Sequence, residues 1–328
     1  NTMTLLFMDS FDHYTTLTDK WTTITNSPTI ETGGRSSSNG LKLDNTDAVT
    51  KTLGQNVGLV VGFAWRRTAS PVAGAICDLL DNGSTQCDLR LRADGKLDIT
   101  RNATVLGTST TAPSLNTWYY FEWMTTIANS GSSEFRINGV SEITLAGVDT
   151  QQGSNAYATQ VKMVSPITTS YVDDLYVLTT SGSTNTTFWG DVHIEARFPT
   201  SDATYSQWTP STGSDHWELV NEATPSTTDY VSSLTPGQKD TYGFQDLVAT
   251  DGTVMAVQEM IYAQKNDAGT RSISGISRVS GIDTDGATIA LATSYAYYQH
   301  VMERNPSTGN AWTIAEVNGA EFGVDEIA

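Results

Sequence analysis

Residues 88–99, Asp-Leu-Arg-Leu-Arg-Ala-Asp-Gly-Lys-Leu-Asp-Ile, constrain the fold more tightly than any other stretch. Leu89, Leu91 and Ala93 point one way, and Asp88, Arg90 and Arg92 point the other. That period of two belongs to an extended strand. The Asp-Gly-Lys turn then sends the chain back through Leu97-Asp98-Ile99. The result is an antiparallel meander with one buried face.

The same grammar runs through the rest of the chain. "SSEFRING" (132–139) alternates, with Phe135 and Ile137 inward and Asn138-Gly139 turning the chain. "GLVVGFAW" (58–65) and "WYYFEWM" (118–124) are continuously apolar and read as central strands covered on both sides. "YVDDLYVL" (171–178), "DVHIEARF" (191–198), "TVMAVQEMIYAQK" (253–265) and "TSYAYYQHVME" (293–303) are further strands, and "RSISGISRV" (271–279) is read as the hairpin partner of 253–265. Only "WTIAEVNGAEF" (312–322) has helical character: Thr313 and Glu316 have capping-box spacing, and Gly319 ends the helix. A hydrophobic fraction of 38% and a charged fraction of 16%, with Thr, Ser, Gly and Asn making up the difference, suit short strands and many turns.

"TTSGSTNTT" (179–187) is small, polar and aperiodic, and is read as a linker. The expectation is therefore an all-β protein of two tandem antiparallel β-sandwiches, residues 1–178 and 188–328. Within the second, "SQWTPSTGSDHWELVNE" (206–222) is expected to form a sandwich corner, with one tryptophan anchoring the core and a new strand starting near Trp217.

With 36 acidic and 18 basic residues the formal net charge is −18, which repels phosphate backbones and anionic membranes. Nucleic acid and membrane are thus not expected as partners. "NTMTLLFMDSFDHY" lacks the basic region and the long apolar run of a signal peptide. Cys77 and Cys87 flank the Asp81-Asn82-Gly83 turn signal and could face each other across two strands; a disulfide and two buried free thiols are both open.

Two groups of motifs resemble known families. "DSFDHY", "NTWYYFEWMTTI…GSSEFRINGV" and "VDDLYV", in that order over residues 3–178, resemble a concanavalin-A-like (laminin-G-like) jelly roll. "GDVHIEARFPTSD", "SQWTPSTGSDHWELVNE", "DAGTRSI" and "NPSTGNAWTIAEVNGAEFGV" resemble virion proteins of tailed bacteriophages. The second resemblance implies a non-enzymatic structural component of the virion, as a capsid decoration, collar, tail or fibre part. It would be made in the host cytoplasm and displayed on the virion surface. Its partners would be other virion proteins and further copies of itself, with a host-surface glycan as an added ligand. The alternatives are a glycan-binding adhesin that reads sugars with the jelly roll and, behind it, a glycan hydrolase.

The chemistry-bearing residues were weighed against those readings. A retaining glycanase needs two carboxylates across a cleft, and no Glu-x-Asp-x-x-Glu strand occurs. Glu195 shares its face with His193 and Arg197 and reads as solvated; Asp173 and Asp174 are adjacent and point to opposite faces. His13, His193, His216 and His300 are scattered, without a zinc spacing or a nucleophile elbow. No catalytic residue is expected. Trp208, His216 and Trp217, with Tyr295 and Tyr297 on one strand face, are the glycan- or interface-binding candidates. No cofactor is required. Because jelly rolls of this type often carry an ion between terminal strands, the resemblance implies a structural calcium, with Asp9, Asp12 and Asp173 as candidate ligands.

Overall fold

The computed structural model describes residues 3–328; Asn1 and Thr2, at the start of the expected first sandwich, lie outside the described residues. The chain is all-β and forms two compact units, Asn1–Ile194 and Glu195–Ala328. The division falls beyond the 179–187 segment, because residues that follow that segment pack on the first unit.

The first unit is a jelly-roll sandwich of two antiparallel sheets. One has the order Val140–Val148, Gly131–Ile137, Tyr119–Thr126, Gly58–Arg67, Ser170–Thr179, Asn39–Leu43 and Thr29–Thr32, with Leu5–Asp9 also pairing to Ser170–Thr179. The other runs Thr104–Thr108, Leu97–Arg101, Ser84–Leu91, Gly74–Asp81, Ala158–Val164, Ala48–Asn56 and Thr23–Thr25. Between them Phe121 meets Phe63, Trp65 and Phe135 at ring separations of 5.7, 5.4 and 5.3 Å. Opposite this aromatic layer lie Leu79, Leu89, Leu91, Leu97 and Ile99, all buried. The alternation read at 88–92 is therefore the pleat of the seven-stranded sheet, with leucines inward and charges outward.

Cys77 and Cys87 are buried free thiols in that core. The hairpin register places Cys77 opposite Leu89 and Cys87 opposite Leu79, so the two cysteines do not face each other.

Along the outer face of the eight-stranded sheet, Tyr176 lies flat over Gly62, where a Cβ would come within 2.1 Å of the ring. Trp189 stacks on Tyr176 at 4.8 Å, and the Arg136 guanidinium sits 4.0 Å from the Phe188 ring centre. The Gly190 amide donates to Glu122 Oε1 at 2.7 Å, as does the Tyr176 hydroxyl at 2.5 Å. Farther along, the Ile194 amide donates to Asp174 Oδ1 at 2.8 Å. The segment expected as a strand over 191–198 is thus unpaired: its Ile194 amide is spent on a carboxylate rather than on a neighbouring strand.

The second unit has one six-stranded sheet, ordered Pro199–Ser206, Lys239–Phe244, Glu321–Glu326, Ser272–Val279 and Ile282–Asp285, with Ile289–Ala290 also on Ser272–Val279. Two ribbons accompany it: Thr209–Pro210 with Val231–Ser232, and Val257–Ala263 with Ala296–Met302. Val279, Met302, Trp312, Ala320 and Phe322 form its core cluster. The expected hairpin between 253–265 and 271–279 is not made. Ser272–Val279 is buried along nearly its whole length and needs neighbours on both edges, which Glu321–Glu326 and Ile282–Asp285 supply. Val257–Ala263 is only partly buried and takes the tyrosine-rich strand instead. The helix at Ile314–Asn318 has its reciprocal Thr313/Glu316 capping box and ends at Gly319.

Candidate functional site

With the outer face of the eight-stranded sheet overlaid by Phe188, Trp189 and Gly190, attention falls on the outer face of the seven-stranded sheet. Strand register builds a polar row across it. Thr100 stands opposite Asp88, Asp88 opposite Asp78, Asp78 opposite Lys162, and Lys162 opposite Thr50. Each belongs to the outward set of its own strand, because its neighbours along the chain fill the core.

The centre of the row is a pair of carboxylates from two strands of one hairpin. Direct cross-strand partners have Cβ atoms about 4.5–5.5 Å apart. Asp78 and Asp88 are only 5% and 4% exposed, so both must be held by partners. Asp88 accepts from the Thr100 hydroxyl at 2.5 Å and from the Arg90 guanidinium at 3.0 Å. Asp78 has the Lys162 ammonium at 3.2 Å. The two aspartates therefore sit in different surroundings. Burial raises the pKa of Asp78 above the ordinary carboxyl value, with Lys162 pulling it down and the neighbouring Asp88 pushing it up.

A cavity of about 480 Å³ opens on this side of the unit, with neither Asp78 nor Asp88 in its wall. Arg90 and Thr100, the two residues that hold Asp88, are part of its wall, together with Arg92, Asp94, Asp98 and Val105. Arg92 is itself steered by Asp94 and Asp98, at 3.1 and 3.3 Å. The wall joins these charged groups to Ala73, Leu91, Ala93 and Ala103.

The residues singled out from sequence lie elsewhere. His216 is buried, its Nδ1 2.6 Å from Asp240 Oδ2, and is not a surface side chain. Asp240 also accepts from the Gln207 and Trp208 amides and the Tyr242 hydroxyl. Asp202 receives the His216 and Trp217 amides. These bonds tie 206–222 to Asp240 and Asp202, but neither tryptophan is a core anchor, and His216–Leu219 is a 3-10 helix and not a new strand. Both Trp208 and Trp217 are half-buried; the Trp208 indole donates to the Gln238 carbonyl at 2.9 Å. Tyr295 and Tyr297 do converge, each against Tyr262, at 5.0 and 4.8 Å.

The three calcium candidates are engaged separately. Asp9 is a buried acceptor for Lys20, the Tyr14 hydroxyl, the Trp21 indole and the Phe11 amide. Asp12 accepts from the Asn39 amide, and Asp173 from the Arg35 and Asp174 amides and the Ser38 hydroxyl. Among the described residues no three His, Cys, Asp or Glu side chains come together as a metal set. Asp9, with both oxygens already taken and a lysine beside it, does not fit a cation.

No family model matches the chain, and no curated protein does. Solved structures do resemble it. An endo-β-1,4-glucuronan lyase from the fungus Trichoderma reesei is 15% identical with a TM-score of 0.40, over 48% of this chain and 91% of its own. A cellulose-induced protein, Cip1, is 16% identical with a TM-score of 0.42, over 52% of this chain and 96% of its own. Alginate lyase vAL-1 from Chlorella virus is 9% identical with a TM-score of 0.36, over 49% and 93%. None of these is named as a virion protein, and two are named as polysaccharide lyases. The expectation of a non-enzymatic virion component is corrected to this extent: the structures that the chain resembles include polysaccharide lyases. The likeness is one of fold, and the chemistry of this chain is argued from its own residues.

The sequence reading missed Asp78, Asp88 and Lys162 because it sought paired acids on one strand. The signal was present: Asp78 and Asp88 flank the same Asn82-Gly83 turn that drew attention to the cysteines, each one residue past a cysteine.

Proposed function

We propose that the first unit hydrolyses glycosidic bonds of a polysaccharide lying across the outer face of its seven-stranded sheet. The observation that carries this reading is the direct opposition of Asp78 and Asp88, with Arg90 and Thr100, the donors to Asp88, forming part of a cavity wall. In a retaining hydrolase the two carboxyl groups are about 5–5.5 Å apart, and cross-strand partners, whose Cβ atoms are about 4.5–5.5 Å apart, hold two carboxyl-bearing side chains as direct neighbours. Unequal surroundings of two carboxyls divide the roles of acid and nucleophile between them.

Asp78, whose pKa burial raises, donates its proton to the glycosidic oxygen as that bond breaks. Asp88, oriented by Thr100 and Arg90, attacks the anomeric carbon and forms a glycosyl ester. Asp78, now ionised, takes a proton from the incoming water, which releases the sugar and restores both groups. Lys162 holds Asp78 in place and compensates the negative charge of the pair. The substrate class is a neutral glycan, because a chain of net charge −18 repels polyanions.

The test is release of reducing ends from xylan, mixed-linkage glucan and soluble cellulose derivatives, with alginate as the anionic comparison. The purified chain is expected to depolymerise at least one neutral polymer. Asp78→Asn and Asp88→Asn should each lower kcat by roughly 10²–10⁴-fold while leaving the melting temperature nearly unchanged. Undiminished activity in both variants, or activity on alginate alone, would overturn the assignment.

A further inference from the structure

The ribbon formed by Val257–Ala263 and Ala296–Met302 in the second unit has two unlike faces. Its inner face carries Ile261, Glu259, Tyr298, His300 and Met302. Glu259 and His300 pack so closely on Gly275 that a Cβ there would come within 2.4 and 2.7 Å of them. The other face is built from Gln258, Met260 and Tyr262 on one strand and Tyr297, Gln299 and Val301 on the other. Tyr295, just before the second strand, extends it: its ring is stacked on Tyr262 at 5.0 Å and 9° between planes. Tyr297, directly opposite Tyr262, leans on the same ring at 4.8 Å and 51°.

Three properties of this outer face point to one kind of ligand. It carries no carboxylate, ammonium, guanidinium or imidazole side chain, although the chain as a whole holds 36 acidic residues. Its three rings are half-buried and fixed by packing on one another. Gln299 is exposed beside them, while the Gln258 amide nitrogen donates to the Met260 sulfur and its amide oxygen is buried. Fixed aromatic faces next to amides, with no charge, complement the apolar face and equatorial hydroxyls of a neutral sugar.

We propose that this face is a binding site for a neutral polysaccharide, with Tyr262, Tyr295 and Tyr297 as the aromatic platform and the exposed Gln299 as hydroxyl partner. It stands independently of the Asp78/Asp88 pair and concerns binding alone.

Affinity electrophoresis of the full chain tests it, with xylan, mixed-linkage glucan or hydroxyethyl cellulose in the gel and alginate as the anionic comparison. The chain should be retarded by at least one neutral polymer and not by alginate. Tyr262→Ala with Tyr297→Ala should raise the dissociation constant about tenfold or more. Gln299→Ala, at an exposed position with little to lose in folding, should weaken binding several-fold at an unchanged melting temperature. The Asp78→Asn/Asp88→Asn chain should be retarded like the unmodified one, and the tyrosine variants should still cleave short soluble oligosaccharides if the unmodified chain does. Retardation by no neutral polymer, retardation unaffected by the tyrosine and Gln299 variants, or a change in sedimenting mass in place of a change in polymer binding would each overturn the proposal.

Discussion

Asp78 and Asp88 each follow a buried cysteine and face away from it, so one dipeptide in each strand supplies both a core thiol and an outward carboxylate. The strand period makes this necessary: whatever buries Cys77 and Cys87 must turn the next residue to the opposite face. A second acidic position shows how far burial can move a carboxyl. Asp173 is pushed up to about 8, mainly by burial and then by neighbouring Asp174, against the Arg35 and Asp174 amides and the Ser38 hydroxyl. A raised pKa in the folded state makes the group a stabilising one below its unfolded value near 3.8, and that contribution is lost as pH rises through about 8. The melting temperature should therefore fall between pH 6 and pH 9 by more in the unmodified chain than in Asp173→Asn. Equal slopes in the two chains, read by calorimetry, would refute that role for Asp173.

Elements follow from sequence where one period dominates a segment. Leu89, Leu91 and Arg90 announced their strand and its faces, and Thr313 with Glu316 announced the only α-helix among the described residues. The capping box there satisfies the Glu316 amide through the Thr313 hydroxyl at 3.2 Å, and the Thr313 amide through Glu316 at 2.8 Å. Thr313→Ala should cost about 1 kcal/mol, read as a lower urea midpoint at an unchanged m-value. A midpoint that does not move would show that packing alone holds the helix. Partner choice was less legible. Residues 191–198 alternate like a strand, yet Asp174 and Glu122 compete for the amides in and just before them, from across the fold. Residues 253–265 and 271–279 looked like a hairpin because they are adjacent, but burial of Ser272–Val279 on both edges outweighed proximity. The candidate site was hidden for the same reason: Lys162 meets Asp78 across a long stretch of chain, and only register brings them together.

For the whole molecule, the account assigns catalysis to one unit and polymer capture to the other, each argued from its own residues. The central claim is hydrolysis by the Asp78/Asp88 pair, and its chemical signature is where the oxygen of water ends up. Depolymerisation of a neutral polysaccharide in oxygen-18 water, followed by mass spectrometry of the products, reads this directly. Hydrolysis predicts one heavy oxygen at each new reducing end, no unsaturated product, and loss of both product and label in Asp78→Asn and Asp88→Asn. Unsaturated ends without label would show elimination instead, and labelled product formed equally well by the two variants would place the chemistry elsewhere; either result contradicts the account.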